Sequence, residues 1–309
     1  MKIAAVTLMC FLIVSLGLTL EVKKIVNLFE TQFVYGERVT KLRQLLLDKP
    51  AAEDHKYSRG VVGFITGSNR FPGAALLGVT AAIQSGCGYT RLVGNERLCN
   101  FVLSQRPEVV CEDGNVDAWV LGSGVPEEDL NRLYDLAAKF REIKPLVIDA
   151  GAISHLTKQR PLADFIMTPH HKEAKGILEK FGVVMSLESI AADPESAAMK
   201  LAELTGGVVN LKANVSVIAA QGETPIVTEP LNTYLSTAGT GDLLAGVTGA
   251  LLARHVKLIG VPDRKRMMRI AELGLQVLST SAEIAVSRTG VGASDIAANI
   301  HLAAKQLSE

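Results

Sequence analysis

The chain has few aromatic residues and no net charge, and these two shortages exclude several classes of protein. Only 5% of its 309 residues are aromatic, and 32 basic residues balance 32 acidic ones. No overall field therefore draws the chain to nucleic acid or to anionic lipid. No basic stretch with interleaved aromatic side chains occurs either, so we expect no nucleic-acid partner.

Cysteine is also scarce, and its spacing excludes a further class. The four cysteines are Cys10, Cys87, Cys99 and Cys111, without a CxxC pair and without a histidine at ligand spacing. The sequence therefore predicts neither a metal cluster nor a disulfide framework, and it assigns no metal ligands.

The one long apolar run is at the N-terminus. Ile3–Leu20 is almost uninterrupted, and residues 21–24 read EVKK. The run resembles a signal peptide or a short membrane anchor, although no small-x-small cleavage site closes it. A buried first element and a start codon set too far upstream are the alternatives. We treat residues 1–24 as a separate segment and residues 25–309 as a single domain, because no internal repeat or low-complexity linker divides them.

From Arg59 onward, short apolar runs alternate with glycine- or proline-bearing turns and helical patterns. Runs without polar alternation are typical of strands buried on both faces, and alternation with helices favours parallel strands. The fold class is therefore predicted as α/β, with a doubly wound, mainly parallel central sheet and helices on both faces. The predicted strands are Val61–Thr66, Tyr89–Val93, Trp119–Leu121, Leu146–Ile148, Ile166–Met167, Val208–Leu211, Ser216–Ala220 and Ile226–Val227. The predicted helices are Ala74–Gln84, Glu127–Phe140, Leu243–Arg254 and, approximately, Arg269–Arg288.

Polar and glycine residues follow several of these strands. They are Gly67–Ser68, Gly122–Gly124, Asp149 and Thr168–His170. Because ligands of such sheets bind at the carboxyl ends of the strands, we expect these residues to lie together around one crevice.

A glycine-rich turn, STAGTGD at Ser236–Asp242, leads directly into the apolar sequence LLAGVTGALLAR. Gly239 and Gly241 allow successive backbone amides to face one anion, and the N-terminus of the following helix adds free N–H groups. In isolation, Asp242 would be explained as the N-cap of that helix. Because the helix is apolar and therefore buried, we predict instead that Asp242 acts as a base.

The sequence TAGTGDLLAG resembles the signature of the ribokinase-like superfamily. Further segments resemble, in order from about His55 to Ile300, successive motifs of the NAD(P)H-hydrate dehydratases. They are HKYSRGVVGFITGSNRFPGAALLGVTAAIQSGCGYTRLV, RPEVV, WVLGSGV, LVIDAGAI, IMTPHHKEAKGIL and VVNLKANVSVIA. The resemblance implies a ribokinase-like fold and the dehydration of the hydrated nicotinamide ring of NADHX or NADPHX. ADP or ATP donates the phosphoryl group, with Mg²⁺, and the stand-alone form of the family favours ADP.

The resemblance also implies a role for individual residues. By this resemblance, Asp242 would be the catalytic base and would also contact the hydrated dinucleotide. The other residues that match positions holding the hydrated dinucleotide are Ala74, Gly124 and His170. The residues that match the nucleotide-binding positions are Lys212, Ala213, Asn214, Val215, Ser216, Gly239, Thr240 and Gly241. For Asp149, a role with Mg²⁺ or water and a role as a helix cap both stay open.

The chain departs from the family pattern in three places. TPHPGE reads TPHHKE at Thr168–Glu173, LKG ends in Ala213, and GPGLG reads GSGVP at Gly122–Pro126. Each change makes the site tighter or stiffer, and none removes a group that does chemistry. We therefore expect activity, with altered affinities.

The resemblance extends to partners and location. The residues before His55 are too few for the epimerase domain that many relatives carry, so we expect the NAD(P)H-hydrate epimerase to be a separate chain. Relatives form tetramers, and we expect a homotetramer. A cytoplasmic location is expected because the substrate and nucleotide are there, while export or anchoring through residues 1–24 stays open.

Two other functions remain as alternatives. A ribokinase-like kinase for a vitamin precursor, such as hydroxymethylpyrimidine or hydroxyethylthiazole, shares the turn and the fold but leaves a stable phosphorylated product. A catalytically weak nucleotide-binding module would bind ADP or a dinucleotide without turnover.

Overall fold

The structure is a computed structural model that describes residues 42–44, 46–126, 144–154, 156 and 164–309. Within it, Leu46–Glu309 forms one compact unit. The predicted helix at Glu127–Phe140 and the apolar segment 1–24 lie outside the described residues, so the structure tests neither of them. Among the helices that are described, none has the length and the apolar character needed to cross a membrane.

The core of the described chain is an eight-stranded sheet. The strands are β1 Val61–Ile65, β2 Tyr89–Leu92, β3 Ala118–Leu121, β4 Leu146–Ile148, β5 Phe165–Met167, β6 Val208–Leu211, β7 Val217–Ala219 and β8 Ile226–Val227. Their order in the sheet is β2-β1-β3-β4-β5-β6-β7-β8. All neighbouring strands from β2 to β6 are parallel, and only β7 runs antiparallel to its two neighbours. The predicted strands and the mainly parallel sheet are confirmed, with small shifts at the strand ends.

The described helices lie between these strands and after the last one. They are α1 Pro72–Gln84, α2 Glu96–Leu103, α3 Gly151–Ser154, α4 His171–Lys180, α5 Leu187–Ala192, α6 Pro194–Thr205, α7 Thr240–Leu258, α8 Arg264–Arg288 and α9 Ala293–Ser308. A 3₁₀ helix spans Thr233–Ser236. The predicted helices that correspond to α1, α7 and α8 are confirmed but begin earlier than predicted. At α1 the reason is Pro72, whose fixed φ suits the first helical position, so the proline belongs to the helix.

One face of the sheet is covered by α4 and α6. Side chains at alternate strand positions, such as Ile65 and Trp119, share a buried core with Ile177 of α4 and Leu201 of α6. Because successive side chains on a strand point to opposite faces, the intervening residues must be covered from the other side.

The other face is covered by α7, which lies directly against the sheet. A Cβ built on Gly249 would lie 2.3 Å from Val120 Cγ2 and 3.3 Å from Val62 Cγ2, so the helix backbone almost touches β1 and β3. Helices therefore cover both faces, as the apolar strands predict.

Helix α7 also lies unusually close to α1. A Cβ on Gly246 would lie 2.2 Å from the carbonyl oxygen of Gly78, a separation that no side chain can occupy. This close approach fixes the position of the N-terminal half of α7, where Asp242 lies, against α1.

We predict that Gly246→Ala destabilises the protein by about 1–3 kcal/mol or more, because the added methyl group forces α1 and α7 apart. Gly176→Ala in α4 is the matched control, since a Cβ there meets nothing within 4 Å. That substitution is expected to stabilise the protein by about 0.5–1 kcal/mol through the higher helix propensity of alanine. Urea unfolding measures both, and equal effects would contradict the packing argument.

Candidate active site

The glycine-rich turn places Asp242 inside a helix rather than at its cap. Gly239 has φ 94°, a conformation that favours glycine, and it is the N-cap residue of α7. Thr240 is the first helical residue, and its Oγ1 donates to the carbonyl oxygens of Leu235 and Thr237 at 2.7 and 2.9 Å. Asp242 therefore lies in the first turn of α7, and its interpretation as an N-cap is excluded.

A cavity of about 700 Å³ lies beside this turn. Seven of the predicted site residues line it: His170, Lys212, Ala213, Asn214, Ser216, Thr240 and Gly241. The other predicted site residues, Val215, Gly239, Asp242, Ala74 and Gly124, are not part of the cavity lining. The structure therefore brings together three segments of the chain, which contain His170, Lys212–Ser216 and Thr240–Gly241.

Five leucines of the cavity lining, here called the leucine wall, were not identified from the sequence. They are Leu231, Leu235, Leu244, Leu275 and Leu278. Apolar walls with a few polar groups are typical of sites for small organic ligands, and a planar base fits such a wall. Leu275 and Leu278 belong to the predicted helix α8, but nothing local in the sequence distinguishes them from other core residues.

The loop after β6 is held in a tight conformation by Ser216. Its Oγ accepts from the backbone N–H of Ala213 at 3.2 Å and donates to the carbonyl oxygen of the same residue at 2.9 Å. Among the described non-glycine residues only Ala150 has a positive φ, so Ala213 fits where the family has glycine without backbone strain. This departure from the family pattern is therefore compatible with an intact loop.

The carboxyl ends of four neighbouring strands meet at Asp149. Its Oδ2 accepts from Ser123 Oγ at 2.9 Å, and its Oδ1 accepts from Thr168 Oγ1 at 2.7 Å and from Lys212 Nζ at 2.9 Å. The residue is only 3% exposed. Burial opposes ionisation of this carboxyl group, but the charge of Lys212 and the three hydrogen bonds lower its pKa below the usual value. The predicted clustering of polar residues at this edge is confirmed.

These contacts also bear on metal binding. Within the described ranges, no group of three histidine, cysteine, aspartate or glutamate side chains could hold a metal ion. Three of the roughly four lone-pair sites of the Asp149 carboxylate accept protein hydrogen bonds. Mg²⁺ commonly binds through substrate phosphates and few protein groups.

Asp242 has a different electrostatic environment from Asp149. Burial and the nearby charge of Asp149 raise its pKa to about 6, and Lys212 opposes the increase. A carboxylate with this pKa is mostly ionised at neutral pH and still accepts a proton readily. Such a value suits a general base.

The two small residues predicted to contact the dinucleotide lie against each other. A Cβ on Gly124 would lie 2.5 Å from Ala74 Cβ, and a Cβ on Gly78 would lie 3.7 Å from the carbonyl oxygen of Asp242. Ala74 and Gly78 are four residues apart in α1 and so share one face of the helix. Ala74 therefore lies one turn from the point where α1 contacts Asp242.

His170, predicted to contact the dinucleotide, has a structural role in the fold. It is the N-cap of α4: its Nδ1 accepts from the N–H groups of Lys172 and Glu173 at 3.1 and 3.2 Å, and Glu173 Oε2 accepts from the His170 N–H at 2.9 Å. The imidazole is half exposed, with Nε2 3.6 Å from Glu173 Oε2. The altered sequence TPHHKE thus keeps a capped helix start, because histidine and glutamate form a reciprocal pair of hydrogen bonds.

Comparison with known proteins decides the family. The model of the family described as NAD(P)H-hydrate dehydratase matches residues 62–297. The chain belongs to this family. The match spans the glycine-rich turn, Asp149 and the loop after β6.

Two relatives show how this chain relates to other members. It is 30% identical over 286 residues to the ADP-dependent (S)-NAD(P)H-hydrate dehydratase of Neisseria meningitidis, covering 87% of this chain and 92% of the relative. It is 34% identical over 234 residues to the bifunctional NAD(P)H-hydrate repair enzyme Nnr of Corynebacterium glutamicum, covering 70% of this chain. The matched region is only 39% of the length of that bifunctional relative.

A solved structure confirms the fold class. The ADP/ATP-dependent NAD(P)H-hydrate dehydratase of Bacillus subtilis, co-crystallised with ATP and Mg²⁺, superposes with a TM-score of 0.70 at 22% identity. The likeness covers 87% of this chain and 97% of that one. The fold is therefore ribokinase-like, as expected from the sequence.

We predict that Asp242→Asn stabilises the folded protein. The pKa of Asp242 rises from 3.8 to about 6 on folding, so its ionised form destabilises the folded state as pH increases through this interval. The gain in free energy of unfolding is expected to be about 2 kcal/mol above pH 6, since each pKa unit corresponds to about 1.4 kcal/mol and the carboxylate is not fully buried. The gain should disappear as pH falls toward 4. Urea unfolding at several pH values measures it, and a gain independent of pH would contradict the assigned pKa.

Proposed function

We propose that this protein dehydrates the hydrated nicotinamide ring of NADHX or NADPHX to regenerate NADH or NADPH, with ADP as the phosphoryl donor. The observation that carries the proposal is the position of Asp242. It follows a glycine-rich turn beside a cavity of about 700 Å³, and its pKa is raised to about 6. The names of the relatives, which include an ADP-dependent dehydratase, support the same activity.

In the first step, Asp242 accepts the proton of the ring hydroxyl group. The hydroxyl oxygen then forms a bond to the β-phosphorus of ADP, and AMP leaves with the electron pair of the broken P–O bond. Phosphoryl transfer depends on positioning and on stabilisation of the phosphate charge. Lys212 and the N–H groups at the start of α7 would supply that stabilisation, since both border the cavity.

In the second step, the phosphorylated ring loses phosphate. The ring nitrogen donates electron density as the C–O bond breaks, phosphate leaves with the bonding pair, and the neighbouring ring carbon loses a proton. The carbon–carbon double bond is thereby restored. Phosphorylation is needed because hydroxide is a much poorer leaving group than phosphate.

The remaining sites follow from this assignment as proposals. The nucleotide would occupy the cavity between the leucine wall and the residues Lys212, Ala213, Asn214, Ser216, Thr240 and Gly241. The hydrated ring would lie near Ala74 and Gly124, with His170 contributing through Nε2. Mg²⁺ would enter as the companion of the nucleotide phosphates, since the described side chains provide no separate three-ligand site.

The separate NAD(P)H-hydrate epimerase chain expected from the resemblance stays a prediction. The chain spans 39% of the length of the bifunctional relative from Corynebacterium glutamicum. The homotetramer suggested by the resemblance stays a prediction.

We predict that the purified protein regenerates the dihydronicotinamide absorbance of NADHX when ADP and Mg²⁺ are present. Asp242→Asn should lower kcat by a factor of about 100 or more, because the proton acceptor is lost. Asp263→Asn is the matched control: it makes the same chemical change at an exposed helix N-cap outside the site, where asparagine caps equally well. Binding of ADP to Asp242→Asn, measured by calorimetry, separates loss of catalysis from loss of the nucleotide.

The other outcomes identify the alternatives. A stable phosphorylated product without release of inorganic phosphate would favour a vitamin-precursor kinase. ADP binding without turnover, unchanged by Asp242→Asn, would favour a nucleotide-binding module. A faster reaction with ATP than with ADP would show that ATP is the phosphoryl donor and would leave the dehydratase activity unchanged.

We also predict a single acidic limb in the pH dependence of kcat/KM. The base must be ionised to accept a proton, so the rate should fall about tenfold per pH unit below the Asp242 pKa of about 6. Asp263→Asn should keep this limb. A limb near pH 4 would show that Asp242 is not the titrating base.

A further inference from the structure

Asp149 is a buried charge that takes no direct part in the mechanism above. It does not line the cavity of about 700 Å³ beside the glycine-rich turn, nor the adjoining cavity of about 600 Å³ near His171. Its carboxylate is nevertheless held by three hydrogen bonds, from Ser123, Thr168 and Lys212. A buried carboxylate costs free energy of desolvation, and an apolar residue would often serve stability equally well.

Lys212 is the partner that reaches the site. Its Nζ is 2.9 Å from Asp149 Oδ1, and it is 3.5 Å from the position of a Cβ built on Gly241, at the start of α7. Its backbone N–H donates to the carbonyl oxygen of Pro169 at 2.8 Å. The backbone of Lys212 is thus fixed, and Asp149 fixes the far end of its side chain.

Lys212 has other acceptors nearby. Burial lowers the pKa of Lys212, but attraction to Asp149, Glu173 and Asp242 raises it above the usual value. Without Asp149, the flexible side chain would be free to pair with Glu173 or with Asp242. A direct pair with Asp242 would hold that carboxylate in its ionised form and make it a weaker proton acceptor.

We propose that Asp149 is a positioning residue: it holds the Lys212 ammonium beside the glycine-rich turn, where the transferred phosphate lies, and away from a direct ion pair with Asp242. This proposal rests on the proposed function. Ser123 and Thr168 support it by fixing the Asp149 carboxylate from the adjacent strand ends. Ser123 stands where the family pattern GPGLG has proline, so its hydroxyl contact is a feature of this chain.

A double-mutant cycle tests whether Asp149 acts through Lys212. Asp149→Asn should lower kcat by a factor of about ten or more. In the Lys212→Met background the same substitution should change kcat by less than about threefold, because the group it positions is already absent. If the two factors multiply, Asp149 has an independent or merely structural role and the proposal is wrong.

Two milder variants cover the case in which Asp149→Asn fails to fold. Ser123→Ala and Thr168→Val each remove one hydrogen bond to Asp149 and keep its charge. Each should lower kcat by a factor of about three to ten while leaving the dissociation constant of ADP within about threefold. The proposal is contradicted if both variants keep the full kcat.

The pH dependence gives a signature that a structural role would not move. The charged groups that act on Asp242 are Asp149 and Lys212, and Glu173 and the half-exposed His170 lie next to Lys212. Asp149→Asn removes a negative charge and releases Lys212 toward Asp242, so the acidic limb of kcat/KM should shift to lower pH. In the Lys212→Met background only the loss of charge acts, so the shift should be smaller there, and equal shifts in the two backgrounds would overturn the proposal.

A readout without turnover separates this proposal from the proposed function. If the wild-type protein does not dehydrate NADHX with ADP, the proposed function fails. The ¹³C NMR titration of the Asp242 carboxyl group is then compared between wild type, Asp149→Asn, Lys212→Met and the double variant. A decrease in the Asp242 pKa on Asp149→Asn that is larger with Lys212 present than in Lys212→Met supports the positioning of Lys212, and equal decreases overturn it.

Discussion

The site depends on one buried ion pair, between Asp149 and Lys212. These residues directly follow β4 and β6, strands that are separated by β5 in the sheet, and they are 63 positions apart in the chain. Thr168, at the end of the intervening strand, donates to the same carboxylate. The register of three parallel strands therefore decides whether the charges meet. A shift of one residue would turn each polar group to the opposite face of the sheet.

The close approach of α1 and α7 determines how near Asp242 lies to Ala74 and Gly124. Gly246 and Gly78 allow contact between the two helix backbones, and Ala74 continues the same face of α1 toward Gly124. Small residues are needed because any larger side chain would separate the helix that bears Asp242 from the helix beside the proposed ring site. The packing of the core thus determines where Asp242 lies.

Electrostatics distinguishes the two buried carboxylates. Asp149, with three donors, has a pKa below the usual value, whereas Asp242 has a pKa of about 6 because burial and Asp149 both disfavour its charge. One carboxylate is a permanent counter-ion and the other is able to take up a proton. This division of roles comes from the surroundings, since the two side chains are chemically identical.

The sequence by itself determined the sheet, the glycine-rich turn and the family. Apolar runs without alternation specify strands covered on both faces, and Gly239 followed by an apolar sequence specifies a turn into a buried helix, because both signals are local and continuous in the chain. Only the tertiary structure decided the three donors to Asp149, the leucine wall containing Leu275 and Leu278, and the role of His170 as a helix cap. Such contacts join side chains that are distant in sequence, or depend on which backbone groups a helix start leaves unpaired. No periodic pattern records them, since strand order, register and helix packing are set by the whole core together.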